Sequence, residues 1–384
     1  MTEANSSPSH TSDSVPADSA LPGLLALLPP AVKPYVLLAR LDRPVGIWLL
    51  FTPCLIGLMF QRIATGIYTI DILWAALFLI GATVMRGAAC TWNDITDRDF
   101  DAGVARTQGR PLPSGAVSLK QAYVFLAAQL IVGGLVWLCL PRDAKIVAIL
   151  SLPLIGGYPF MKRITWWPQA WLGMTFNWGI LVGAATASSL SFPVFILYAG
   201  CICWTIAYDT IYALQDVDDD ALMGVRSTAR LLGDRTALAR FCFYMTAAAL
   251  IAWAAALNGA GRVGALASLA FFGHSIWQIT RLKSSRNADA LLVFKSNVWA
   301  GAIIALGFTI SALLPETKPH TIFADHEIVP AAQEEKVILP FGIQLNVESG
   351  EMQTQSQPQY LSEWIDAIDA IPTTTPDSPV LTAE

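Results

Sequence analysis

Apolar runs of about twenty residues recur along most of this chain, and that is the length a helix needs to cross a bilayer. Nine candidate spans can be drawn, at 45–61, 71–92, 121–140, 145–161, 167–187, 193–213, 237–257, 263–281 and 293–314. Inside lipid each backbone N–H and C=O must find its partner within the segment, which makes every such span a helix. Only 14% of the 384 residues are charged, where a soluble domain carries roughly 25%. The expected fold is therefore an all-α integral membrane protein.

Three regions are predicted. Residues 1–32 form a tail rich in Ser, Pro and Thr, then an interfacial lead-in broken by Pro29 and Pro30. Residues 33–314 form the transmembrane domain. Residues 315–384, with 12 acidic and 2 basic side chains, are predicted to be an acidic, mostly disordered tail.

The net charge of −5 hides an uneven distribution. Residues 33–314 hold 22 Lys and Arg against 14 Asp, and no Glu. Nine of those aspartates fall in two patches: Asp94, Asp97, Asp99 and Asp101, then Asp209, Asp216, Asp218, Asp219 and Asp220. Each patch begins just as an apolar run ends. On a continuous helix Asn93, Asp97 and Asp101 share one face, as do Asp209, Asp216 and Asp220. Ionised groups at a membrane edge are costly and mark function. Two such faces can be neutralised by hard cations, and Mg²⁺ is commonly held by one or two carboxylates together with substrate phosphates.

Basic residues set the orientation. Fourteen Lys and Arg lie at or beside the links that carry the aspartates, among them Arg98, Arg106, Arg110, Lys162, Arg163, Arg226, Lys283, Arg286 and Lys295. The opposite links hold four, Arg62, Arg142, Lys145 and Arg262. By the positive-inside rule the aspartates face the cytoplasm, or the matrix of a mitochondrion, and nine spans put the C-terminus on the other side. Lys162, Arg163 and Arg43 are candidates for binding a diphosphate or a carboxylate. Arg86, inside the second span and seven residues before Asn93, reads equally as a site residue or as half of an ion pair. No Ser/His/Asp set, CxxC pair or phosphate-cradling GxxxxGK[ST] loop is present.

With these residues in view, the chain resembles the UbiA superfamily of intramembrane prenyltransferases over about residues 35–314. Asn93, Asp94, Asp97 and Asp101 match its NDxxDxxxD signature, and Asp216 and Asp220 match its DxxxD. The similarity is closest to the 4-hydroxybenzoate polyprenyltransferase branch, through LDRPxG (Leu41 to Gly46), RPLPSGAV (Arg110 to Val117), YPFMKR (Tyr158 to Arg163) and YDTxYAxxDxxDD (Tyr208 to Asp220). The resemblance implies a nine-helix transmembrane bundle with cytoplasmic cap helices over a central cavity. It implies Mg²⁺ held by Asn93, Asp97, Asp101, Asp216 and Asp220, the four aspartates also counting with Arg163 as catalytic. Substrate would be bound by Arg43, Asn93, Lys162, Arg163 and Asp209, with Arg43 taking the aromatic carboxylate.

The reaction implied is transfer of a polyprenyl group from its diphosphate to position 3 of 4-hydroxybenzoate, a step of ubiquinone biosynthesis. Partners are then the two substrates and membrane lipid, with no nucleic acid and no obligate protein partner. The site would be a bacterial inner membrane or the mitochondrial inner membrane. Two alternatives stay open: a relative acting on another aromatic acceptor, and a cation or metabolite transporter using the same residue types.

Overall fold

A computed structural model describes residues 21–103, 107–215, 217–222, 224–282 and 289–314, plus three short segments after 335. The expectations for Arg106, Asp216, Lys283, Arg286, the first 20 residues and most of the C-terminal tail lie outside the described residues.

Two short helices, α1 (Pro22–Leu27) and α2 (Lys33–Leu38), form the lead-in, and the chain turns into the bundle at Arg40, which has φ 56°. The long helices follow: α3 (Val45–Thr65), α4 (Ile70–Thr96), α6 (Leu119–Cys139), the broken pair α7 (Arg142–Leu150) and α8 (Leu152–Ile164), α9 (Pro168–Ala187), α10 (Phe192–Ala213), α13 (Thr236–Leu257), α14 (Gly261–Arg281) and α16 (Asn297–Leu313). Between them lie the short helices α5 (Arg98–Asp101), α11 (Val217–Leu222), α12 (Thr228–Leu232) and α15 (Ala290–Lys295).

Seven helical segments are long and apolar enough to cross a membrane. The expected fifth and eighth spans are α9 and α14, of 20 and 21 residues. Both fall short in apolar character, because α9 carries Gln169 and Asn177 while α14 carries Arg262, His274 and Gln278. The expected fourth span is two helices meeting at Ser151, whose N–H bonds back to Ala148.

The centre of the bundle is the pair α3 and α9. Small residues let their backbones touch, the usual device for helices in lipid. A Cβ at Gly183 would fall on the carbonyl oxygen of Cys54, and one at Gly57 on that of Ile180. Asn177 of α9 is buried there and spends its amide on Gly173 O, Cys201 O and Thr205 Oγ1, which ties α9 to α10. The indole of Trp204 donates to Asn297 Oδ1 at 2.8 Å and links α10 to α16. By contrast α6 exposes most of its side chains, so it is an outer, lipid-facing helix. At the end away from the aspartates, Arg62 and Asp71 form a buried pair at 2.8 Å that pins α3 to α4.

The second compact unit, Ile322–Glu384, contains three antiparallel strands, β1 (Lys336–Leu339), β2 (Ile343–Asn346) and β3 (Met352–Thr354), with Lys336 opposite Asn346 and Ile343 opposite Thr354.

Candidate active site

A cavity of about 310 Å³ opens where α3, α4, α8, α9 and α10 end or begin. Its inner wall is apolar, with Leu49, Met85, Leu172 and Phe176, and its rim is charged. Asn93, Asp94, Asp209 and Asp220 line it, as do Arg40, Arg43, Arg86, Arg110, Lys162, Arg226 and Lys295. Such a vessel suits a molecule with an ionic head and an apolar body.

The first patch differs from one smooth helical face. Helix α4 stops at Thr96 and the backbone kinks at Asp97 (φ −98°, ψ 7°) before the short α5. The hydrogen-bond spacing survives the kink, with Asp97 N–H on Asn93 O at 2.9 Å and Asp101 N–H on Asp97 O at 2.8 Å. The side chains, however, divide. Asn93 and Asp94 line the cavity, while Asp97 and Asp101 are not among its lining residues. Asp97 is paired with Arg163 at 2.5 Å, and Asp101 with Arg110 at 2.6 Å. Burial holds the Asp97 carboxyl above the usual carboxylate range, with the Arg163 guanidinium opposing that shift.

Asp94 carries more of the architecture than its sequence position suggests. It is 1% exposed and accepts from Arg40 Nη2 through both oxygens, at 3.0 and 3.1 Å. Arg110 reaches it at 3.4 Å while also holding Asp101, so one arginine joins the two acids. Neither partner arginine could be singled out by spacing along the chain. The available signal was the second letter of the NDxxD signature and the clustering of Arg40 with Asp42 and Arg43.

In the second patch Asp209 and Asp220 line the cavity, and the side chains of Asp218 and Asp219 are not described. The Ser-Thr-Ala run behind this patch acts as a staple. Thr228 N–H donates to Gln169 Oε1 at 3.0 Å, and its hydroxyl meets that of Thr210 at 2.6 Å. Arg226 bonds back to the end of α8, through its N–H to Lys162 O and its Nη1 to Ile164 O.

Helix α8, which carries Tyr158, Lys162 and Arg163, is hung from three indoles. Trp92 donates to Gly156 O, Trp171 to Leu154 O and Trp178 to Val147 O, at 3.2, 2.7 and 2.8 Å. Trp92 directly precedes Asn93, so the same stretch of α4 presents the amide and braces the helix of cations.

Three charged side chains in the cavity wall are uncommitted. Among the described residues, Arg86, Lys162 and Asp209 make no side-chain hydrogen bond and no ion pair. Gly46 makes room for the first of them, since a Cβ there would strike the Arg86 guanidinium. Arg86 lies 5.7 Å from the Phe176 ring centroid, within cation–π range. Arg43, by contrast, bonds to Asp42 at 3.1 Å.

All the oxygens these patches offer are hard donors, the chemistry Mg²⁺ prefers. Among the described residues no three acids or histidines converge on one metal position. The acids of the first patch are instead matched to arginines that an incoming cation and anion can displace. The donor set therefore fits Mg²⁺ in kind: Asn93, Asp97 and Asp101 from one patch, Asp220 from the other.

Helical membrane bundles with acid-edged cavities of this kind define a class of intramembrane transferases. The UbiA prenyltransferase family matches residues 34–314, and the chain belongs to it. The "4-hydroxybenzoate polyprenyltransferase, mitochondrial" of Drosophila pseudoobscura pseudoobscura is 42% identical over 308 residues, covering 78% of this chain and 76% of its own. The protein of that name from Arabidopsis thaliana is 39% identical over 285 residues, with coverage of 74% and 70%. A UbiA homolog from Aeropyrum pernix K1 superposes with a TM-score of 0.60 at 26% identity, over 70% of this chain and 98% of that one. Another from Archaeoglobus fulgidus, bound to GPP and Mg²⁺, reaches 0.57 at 15% identity over 73% and 100%, a likeness of fold alone.

Proposed function

We propose that this protein transfers a polyprenyl group from a polyprenyl diphosphate to position 3 of 4-hydroxybenzoate. The observation that carries the reading is the division of charge in the cavity. Paired acids and arginines crowd the rim, and one uncommitted guanidinium, Arg86, stands inside on the apolar side. The rim suits a diphosphate and its cation. The inner wall suits an isoprenoid chain. An unpaired guanidinium in a low-dielectric cavity is a strong bidentate partner for a small carboxylate. Arg86 thus replaces Arg43 as the residue assigned to the benzoate carboxylate. The curated relatives carry the name of this activity, which agrees with that division.

Bound Mg²⁺ would supply charge to offset the leaving diphosphate. Lys162 faces the diphosphate oxygens as a point charge, and Arg163, released from Asp97, adds a second. Asp216 belongs to the metal set through its motif. The apolar wall keeps water from the allylic cation while the ring carbon ortho to the phenol attacks it. Fixed charges aimed at the departing group contribute most of the rate in this scheme. The relatives' names place them in mitochondria, and a mitochondrial or bacterial inner membrane, with the site toward matrix or cytoplasm, fits the distribution of basic residues.

The test is product formation by the purified protein from 4-hydroxybenzoate and a polyprenyl diphosphate. Product with Mg²⁺ and none with EDTA is expected; no product in either case rejects the reading. Arg86→Ala is expected to raise KM for 4-hydroxybenzoate about 100-fold, the cost of removing one side of a buried charge pair, with KM for the diphosphate unchanged. Ending the chain at Leu314 is expected to leave turnover within twofold of the full protein, because the acidic tail contributes no residue to the cavity lining.

A further inference from the structure

We propose that Asp209 is the general base that takes the proton from the ring carbon being prenylated; this rests on the reading of function above. Electrophilic substitution leaves that carbon carrying both the new prenyl group and its original hydrogen. Aromaticity returns only when the C–H bond breaks, its electron pair rejoins the ring, and the proton reaches an acceptor. In a cavity that excludes water the acceptor must be the wall or the departing diphosphate.

The wall offers three described carboxylates, Asp94, Asp209 and Asp220. Asp94 has its oxygens occupied by Arg40 and Arg110. Asp220 sits in the metal motif and its backbone oxygen is taken up by Val225 N–H and Arg230. Asp209 alone has both oxygens free of hydrogen bonds and ion pairs among the described residues. Of the phenols nearby, Tyr208 is neutral and packed between Trp204 and Phe294, its hydroxyl accepting from Thr205.

The placement of its neighbours supports the role. The cations that act on Asp209 are Lys162 and Arg86, and Tyr158 and Tyr208 also lie within its field. Asp209 and Arg86 carry opposite charge in one low-dielectric cavity, where attraction is strong. They nevertheless form no ion pair, so the walls hold them apart with space between. An aromatic acid whose carboxylate rests on Arg86 fills that space and brings its ring toward Asp209. The proton taken by Asp209 then passes to the released diphosphate at the rim, which restores the carboxylate and balances the reaction.

The experiment uses the full protein, Mg²⁺, polyprenyl diphosphate and 4-hydroxybenzoate carrying one deuterium, at one of the two equivalent ortho positions. The deuterium content of the product is read, so slow variants remain measurable over long incubation. Wild-type protein is expected to retain close to half the label, because ring attack is committed before the proton leaves. Asp209→Asn is expected to turn over roughly 10²-fold more slowly, the scale of a general base. Its product is expected to retain clearly more than half the label, because proton loss has become the slow step. Asp209→Glu, which keeps a carboxylate, is expected to return retention toward half.

Asp209→Asn at wild-type rate, or slowed with retention still at half, overturns the proposal; the latter outcome assigns the proton to the diphosphate. If Asp209→Asn yields no product, the decision passes to Asp209→Glu: restored product supports the base, and continued absence overturns it. Absence of product from wild-type protein fails the functional reading itself, a result separate from all of these.

Discussion

Asp94→Ala is expected to abolish prenyl transfer and to lower the stability of the bundle by about 3 kcal/mol, whereas Asp97→Ala loses activity alone. The first removes the shared partner of Arg40 and Arg110, leaving two cations in a region where Asp94 itself is 1% exposed. Removing one side of a buried pair costs about 3–5 kcal/mol, because the other side is left without compensation. Asp97 faces an Arg163 that is half exposed and can turn to water, so its loss is nearly neutral for folding. Turnover would still fall at least 100-fold, since a ligand of the diphosphate's cation is gone. Thermal inactivation in detergent, measured beside turnover, separates the two. Equal stability of the two variants would contradict this assignment of Asp94 as the organiser and Asp97 as the ligand.

Gly183→Ala carries the second large effect. Its new methyl would sit on the Cys54 carbonyl and 2.9 Å from Leu58 N, both backbone atoms of α3 that cannot rotate aside. Helices α3 and α9 must then move apart, and they carry opposite walls of the cavity. Overpacking of this kind costs about 3 kcal/mol, and activity is expected to fall with the thermal midpoint. Gly134→Ala on the outer helix α6 is the control. Nothing lies within 4 Å of a Cβ there, and the gain in helix propensity is up to about 1 kcal/mol. A Gly183→Ala protein as stable as the control would mean that α3 and α9 do not touch through their backbones.

Much of this protein is determined by its sequence alone. Twenty-residue apolar runs leave a chain no alternative to helices in lipid. An acid-poor core with its aspartates in two patches beside apolar runs names the chemistry to look for. Asn93, Asp209, Asp220 and Lys162 do meet in one cavity, as their motifs implied. Local rules suffice for this, because span length, composition and the start of a polar link are properties of neighbours in the chain.

Which charge is committed and which is free was decided only by the tertiary structure. Arg40 meets Asp94 across 54 positions, and Arg163 meets Asp97 across 66. The rotation of each span about its own axis sets those meetings. A helix apolar on every side carries little periodicity to reveal its inner face. The signals for rotation were single residues: Gly57 and Gly183 at a backbone contact, Asn177 with a buried amide, Trp92, Trp171 and Trp178 holding α8, and Gly46 leaving room for Arg86. Each has meaning only beside a partner distant in sequence. Packing therefore made Asp94 a structural anchor and left Arg86 and Asp209 unpaired in the cavity, since close approach between helices, rather than position along them, determines where a charge finds its counter-ion.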